Sequence, residues 1–176
     1  MLKLFGGRKP GLVGLDISAS AIKLLELSCD DEGYVVESYG AEPLPENTVV
    51  EQNIVDVEAV AEAIKRLQAS TQFKSKLAAV AVAGSAVITK TIEVPASLKE
   101  NQIEEQLLMD ADQYIPYPLD EVALDFQVLD PTARSEDMLD VLIAACRQEH
   151  IESRQAALEL SGLSAEVIDI EAHCVQ

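Results

Sequence analysis

Basic side chains are scarce in this sequence: 13 lysines and arginines stand against 31 aspartates and glutamates, a formal net charge of −18. No Arg-rich stripe with interleaved aromatics occurs, and phosphate neutralisation needs clustered Lys and Arg, so nucleic acid is excluded as a partner. Cysteine is equally sparse. Cys29, Cys146 and Cys174 are far apart and odd in number. They fit neither a disulfide framework nor a zinc site and point to a reducing compartment. His150 and His173 have no metal-ligand spacing with them and read as surface or structural residues. Long apolar runs are missing too. The most apolar stretch, Leu77 to Ile88, is broken by Gly84-Ser85 and falls far short of the roughly 20 residues a membrane span needs. The start, MLKLFGGRKPG, lacks the apolar region of a signal peptide and reads as a flexible terminus, with a short amphipathic anchor as the alternative. Its Gly6-Gly7 pair is followed by no Gly-Lys-Ser/Thr and is no P-loop.

What is present is an ordinary globular composition, 48% apolar and 25% charged over 176 residues, enough for one domain or two small ones. The acidic excess is uneven. Residues 85–162 hold 16 acidic and 5 basic groups, whereas residues 1–84 hold 12 and 8, so the middle has its own surface character. Acidic charge of this kind serves solubility and repulsion before any specific partner.

Residues Leu12 to Ser28, LVGLDISASAIKLLELS, read as strand, tight turn and strand. Asp16 closes the first strand between apolar neighbours, and small Ser18, Ala19 and Ser20 allow close backbone approach at the turn. Backbone N–H groups crowded into such a turn make an anion-binding concavity suited to phosphate. A carboxylate there suits magnesium, a hard cation that prefers oxygen. A plain β-hairpin with a polar turn accounts for the same spacing.

Tyr34 to Tyr39 completes a three-stranded meander, closed by the Pro43–Pro45 loop. Asp56 caps a helix with apolar positions Val57, Val60, Ala61, Ile64 and Leu67 on one face. Leu77 to Ala83 is a short β-branched run suited to a central strand. Ala86 to Val94 alternates as a strand. Ser97 and Glu100 form a capping box before a helix with Ile103, Leu107, Ala111 and Tyr114 on one face, ended by Pro116 and Pro118. Strands near 122–129 and 138–145 flank a polar turn at Asp130 to Asp137. A last helix from Gln148 ends at Gly162, and Leu163 to Ile170 is a final strand. The order is βββαβ, then βαββα, then β. It predicts an α/β fold in two units: residues 1–84 with 163–176, and an inserted α+β unit, 85–162, entered at Gly84-Ser85.

Five stretches then resemble the PilM family, actin-like cytoplasmic proteins of type IV pilus assembly, and more distantly the division protein FtsA. They are GLDISASAIKLLEL (14–27), VVEQNIVDVEAVAEAI (49–64), AVAVAGSAVITKTIEVP (79–95), DADQYIPYPLDEVALDF (110–126) and AEVIDIEAH (165–173). The resemblance implies an actin-like (ribonuclease H-like) subdomain 1A, an inserted subdomain 1C, and a second half of the fold lying beyond this chain. It implies nucleotide-binding roles for Asp16, Ser18, Ala19, Ser20 and Lys23 at the first phosphate motif, and for Asp169 at the first connecting motif. Ser18 stands where many superfamily members carry glycine, which loosens the phosphate approach. ATP and magnesium belong to the intact family. One cleft wall alone implies weak nucleotide binding or none, and no enzymatic activity. The implied role is a scaffold that takes the N-terminal cytoplasmic peptide of PilN, an inner-membrane protein, in a groove between the two units. Gly84 and Ser85 are the peptide-contact candidates. Cytoplasmic location, peripheral to the inner membrane through that partner, and a place in twitching motility follow. The alternative is an active ATPase or kinase of the same superfamily, or an FtsA-like filament protein. An apolar patch around Val167, Ile168 and Ile170 predicts self-association.

Overall fold

The computed structural model of the protein describes residues 11–30, 33–129 and 137–174. The opening MLKLFGGRKP, residues 31 and 32 of the first long turn, and most of the polar turn expected at Asp130 to Asp137 lie outside the described residues. The chain divides into two compact units, one of residues 1–82 and 152–176, the other of residues 83–151.

The first unit is a five-stranded sheet of β1 (Leu12–Ile17), β2 (Ala21–Asp30), β3 (Gly33–Pro43), β6 (Leu77–Val82) and β10 (Ser164–Ile170). Their lateral order is β10-β6-β1-β2-β3, with the meander antiparallel and β6 parallel to both β1 and β10. A short hairpin, β4 (Val49–Val50) with β5 (Asn53–Ile54), follows the meander.

Helix α1 (Val57–Thr71) starts where Asp56 accepts a hydrogen bond from the Ala59 N–H at 2.9 Å. It buries Val60, Ala61, Ile64 and Leu67, as their spacing requires, with Val57 half-buried. Val60, Ile64 and Leu67 are 1% exposed or less, and each contributes about 2 kcal/mol by leaving water. They meet Val13, Leu15, Ile22, Leu24, Ala78 and Val80 from one face of the sheet. At Gly40 on β3 a Cβ would stand 2.6 Å from Thr71 Cγ2, so only glycine lets α1 lie this close.

Helix α3 (Gln148–Ser161) ends as expected. Gly162 has φ +82°, and the Leu163 N–H donates to Leu158 O at 2.9 Å, the Schellman arrangement. Ala157 and Leu158 belong to the first core. The inserted unit therefore closes at Ile151, eleven residues before the expected exit at Gly162. The physical reason is that α3 is anchored by packing rather than by its turn signals.

The second unit is an antiparallel sheet, order β7-β9-β8, of β7 (Val87–Pro95), β8 (Val122–Val128) and β9 (Met138–Arg147). Helix α2 (Glu100–Asp110) buries Ile103 and Leu107 against Val94, Val141 and Ile143. The expected Ser97–Glu100 box is not the start of α2. The Ala96 N–H donates to Asp137 O and the Leu98 N–H to Pro95 O, which hold residues 95–98 in a turn. The N-cap lies two residues later, at Lys99, with the Gln102 side chain accepting from the Lys99 N–H at 3.0 Å. The following YIPYP segment is clamped by two cations, Lys90 over Tyr114 at 5.4 Å and Arg147 over Tyr117 at 5.2 Å.

Candidate functional site

Side chains alternate along each strand, so one lateral row of the first sheet collects residues from distant parts of the chain. Asp16 pairs with Lys23 across β1 and β2, and Lys23 with Ala41 on β3. On the other side Asp169 pairs with Ala81. Leu15 pairs with Val80, so one step further brings Asp16 level with Ala81. Asp16 and Asp169 thus flank Ala81 on the face turned away from α1, two strand spacings or about 10 Å apart. Both stand at the carboxyl ends of parallel strands, where open α/β sheets place ligands.

Lys23 settles which way its side chain points. Its Nζ lies 2.9 Å from Asp16 Oδ2, with 64% of the Lys23 and 53% of the Asp16 side chain exposed. In water such a pair is worth at most about 1 kcal/mol, so it yields readily to another ligand. The Ser18 hydroxyl and N–H both donate to Ala21 O, at 2.8 and 3.0 Å, which closes the turn on itself. Ser20 O accepts from the Leu44 N–H at 2.9 Å and ties the turn to the end of the meander. Ala19 and Ser20 are exposed, and among the described residues their N–H groups have no acceptor. The turn therefore offers two N–H donors beside one carboxylate and one ammonium. Asp169 Oδ1 accepts from the Ile170 N–H at 2.7 Å and lies 3.9 Å from His173 Nδ1. Among the described residues no three or more His, Cys, Asp or Glu gather as a metal site. Two carboxylates alone suit a cation that keeps most of its water, as magnesium does.

The next row on the same face is apolar: Tyr39, Leu25, Gly14, Ala79 and Val167 are successive lateral partners. Tyr39 is 76%, Leu25 42% and Val167 40% exposed. The patch expected around Val167, Ile168 and Ile170 is corrected by this alternation. Val167 faces out, whereas Ile168 packs against the core and Ile170 is half-buried.

Gly84 and Ser85 sit elsewhere, in the second unit, within a single 3-10 turn from Gly84 to Ala86 closed by the Ala86 N–H on Ala83 O at 2.9 Å. A Cβ at Gly84 would meet nothing within 4 Å, so no close approach requires glycine there.

Arg154 is the residue that sequence reasoning missed. It is 2% exposed, and its Nε donates to Ala81 O at 2.8 Å, while Nη2 lies 3.4 Å from Gln52 O. It therefore holds the backbone of the residue that separates Asp16 from Asp169. Gln52 belongs to the β4–β5 turn, where Glu51 (φ +48°) and Gln52 (φ +69°) are both left-handed. No charge pattern marks Arg154 in the sequence; only its spacing from His150, Ala157, Leu158 and Ser161, all buried, does so.

A sequence model of the family described as type IV pilus assembly protein PilM matches residues 14–176. The chain belongs to the PilM family. The solved "PilM-PilN type IV pilus biogenesis complex" is similar, with 31% identity and a TM-score of 0.82 over 94% of this chain and 48% of that one. The cytoplasmic domain of EpsL, an inner membrane component of the type II secretion system of Vibrio cholerae, matches at 15% identity and TM-score 0.56, over 91% of this chain and 57% of that one. The chain thus spans about half the length of the structures it matches, and shares its mixed α/β architecture with them. Among the described residues no helix is long and apolar enough to cross a membrane.

Proposed function

We propose that this PilM-family chain is a scaffold of type IV pilus assembly that takes a short cytoplasmic peptide of a PilN-like inner-membrane protein. The likeness to the PilM–PilN complex, at 31% identity over 94% of the chain, carries the reading. The chain is held at the cytoplasmic face of the inner membrane by that partner and performs no chemistry of its own. A synthetic peptide copying the N-terminus of such a partner should bind the folded chain in isothermal calorimetry. Absence of heat at high micromolar concentrations would remove the role.

A second reading is favoured by the row through Asp16, Lys23 and Asp169. ATP with magnesium fits there in outline: the Ala19 and Ser20 N–H groups and Lys23 would hold phosphate oxygens, and Asp16 and Asp169 the hydrated cation. Magnesium-dependent ATP binding that vanishes in Asp16→Ala supports this reading; indifference to both counts against it. Self-association through the exposed row of Tyr39, Leu25 and Val167 completes the proposal. A strict monomer by analytical ultracentrifugation at high concentration would refute it.

A further inference from the structure

The second unit carries a groove that the reading above does not use. It has a volume of about 390 Å³, floored by Leu98, Ile103, Phe126 and Leu139, with Val128 and exposed Glu100 on its lips. One wall is β8, the terminal strand of its sheet. The Leu129 N–H donates inward to Asp140 O at 2.8 Å. By ladder alternation the N–H groups of Val128 and Phe126 then point outward. Phe126 is already capped by the Asp125 carboxylate at 2.8 Å, whereas Val128 is 39% exposed. An edge strand beside a trough with an apolar floor and polar lips, Gln127 and Glu100 among them, is the geometry of strand addition: main-chain bonds hold an extended segment and the trough takes its alternate side chains.

Charge selects the occupant. Among the described residues of this unit, twelve carboxylates stand against three basic groups, Lys90, Lys99 and Arg147. Of these, Arg147 is paired with Glu149 at 2.9 Å, Lys90 lies over Tyr114 and Lys99 adjoins Glu100, and twelve carboxylates against three cations leave the unit around the groove with a net of nine negative charges. We infer that the groove between α2 and β8 docks an extended, basic segment of a partner protein, with apolar residues at alternate positions, one anchored over Phe126 and a cation beside Glu100. This site lies within the inserted unit and does not depend on the PilN or nucleotide readings.

The test uses the whole chain and three capped octapeptides: lysine alternating with leucine, glutamate alternating with leucine, and lysine alternating with serine. Titration followed by amide NMR should show the lysine–leucine peptide shifting Phe126, Val128 and Glu100. The other two should bind about ten-fold more weakly. Glu100→Lys should narrow the lysine-over-glutamate preference about three-fold or more. Val128→Pro, tolerated on an edge strand, should abolish binding while circular dichroism shows the fold retained. Equal binding of the lysine–serine peptide, shifts centred elsewhere, or a preference unchanged by Glu100→Lys would each overturn the inference. Concentration-dependent shifts at the groove without peptide would assign it to a second copy and overturn it equally.

Discussion

Replacing Arg154 tests whether a buried cation holds the strand on which the Asp16–Asp169 row depends. The guanidinium is 2% exposed and donates to Ala81 O at 2.8 Å. Arg154→Ala removes that bond, which costs about 1–3 kcal/mol, and the longer one to the carbonyl of Gln52, an exposed residue that water can serve at little cost. It also opens a cavity the length of an arginine stem, worth a further 1–2 kcal/mol or so by comparison with other large-to-small changes. Together the lost bond and the cavity come to about 3 kcal/mol. For a chain of this size that is a fall in Tm of roughly 6–12 °C. Arg154→Met refills the space without donors and should lose about 2 kcal/mol, which separates packing from hydrogen bonding. Urea unfolding followed by far-ultraviolet circular dichroism measures both. If the methionine variant unfolds within about 0.5 kcal/mol of the parent, the carbonyl bonds contribute nothing net and the reasoning fails.

Gly40→Val should cost about 1–3 kcal/mol, because a Cβ there meets the stiff, β-branched Thr71 2.6 Å away; an unchanged urea midpoint would refute the close approach of α1. Gln52→Gly should raise stability by about 0.5–1 kcal/mol, since glycine accepts the left-handed turn position that glutamine occupies at φ +69°; a lowered Tm would contradict this. Cys174 is held above the usual thiol range by partial burial and then by the Asp169 and Glu171 carboxylates. All three causes disfavour the thiolate, so alkylation by iodoacetamide in a Cys29→Ser background should rise with pH later than for free cysteine, near 8.5. Asp169→Asn should move that rise to lower pH, and no movement would dissociate the two groups.

Wherever apolar spacing and burial coincide, the sequence was legible. The α1 stripe from Val60 to Leu67, the central β6, and the α2 face of Ile103, Leu107 and Ala111 are periodic in residues that gain by leaving water. Helix α3 reads poorly by the same rule because its buried stripe includes His150, Arg154 and Ser161. The β4–β5 hairpin escaped for a related reason. Glu51-Gln52 carries none of the glycine or asparagine that normally announces such a turn, and the conformation is held by tertiary contacts.

The amino-acid order by itself determined the succession of elements, the two-unit division entered near Ala83, and the Asp16 turn, because all three follow from local spacing and side-chain type. Only the tertiary structure decided that Asp16, Lys23 and Asp169 share one row, that α3 belongs with the first core, and that an arginine lies beneath Ala81. Strand register and buried polar partners are set by contacts between residues dozens of positions apart, and no local pattern records them.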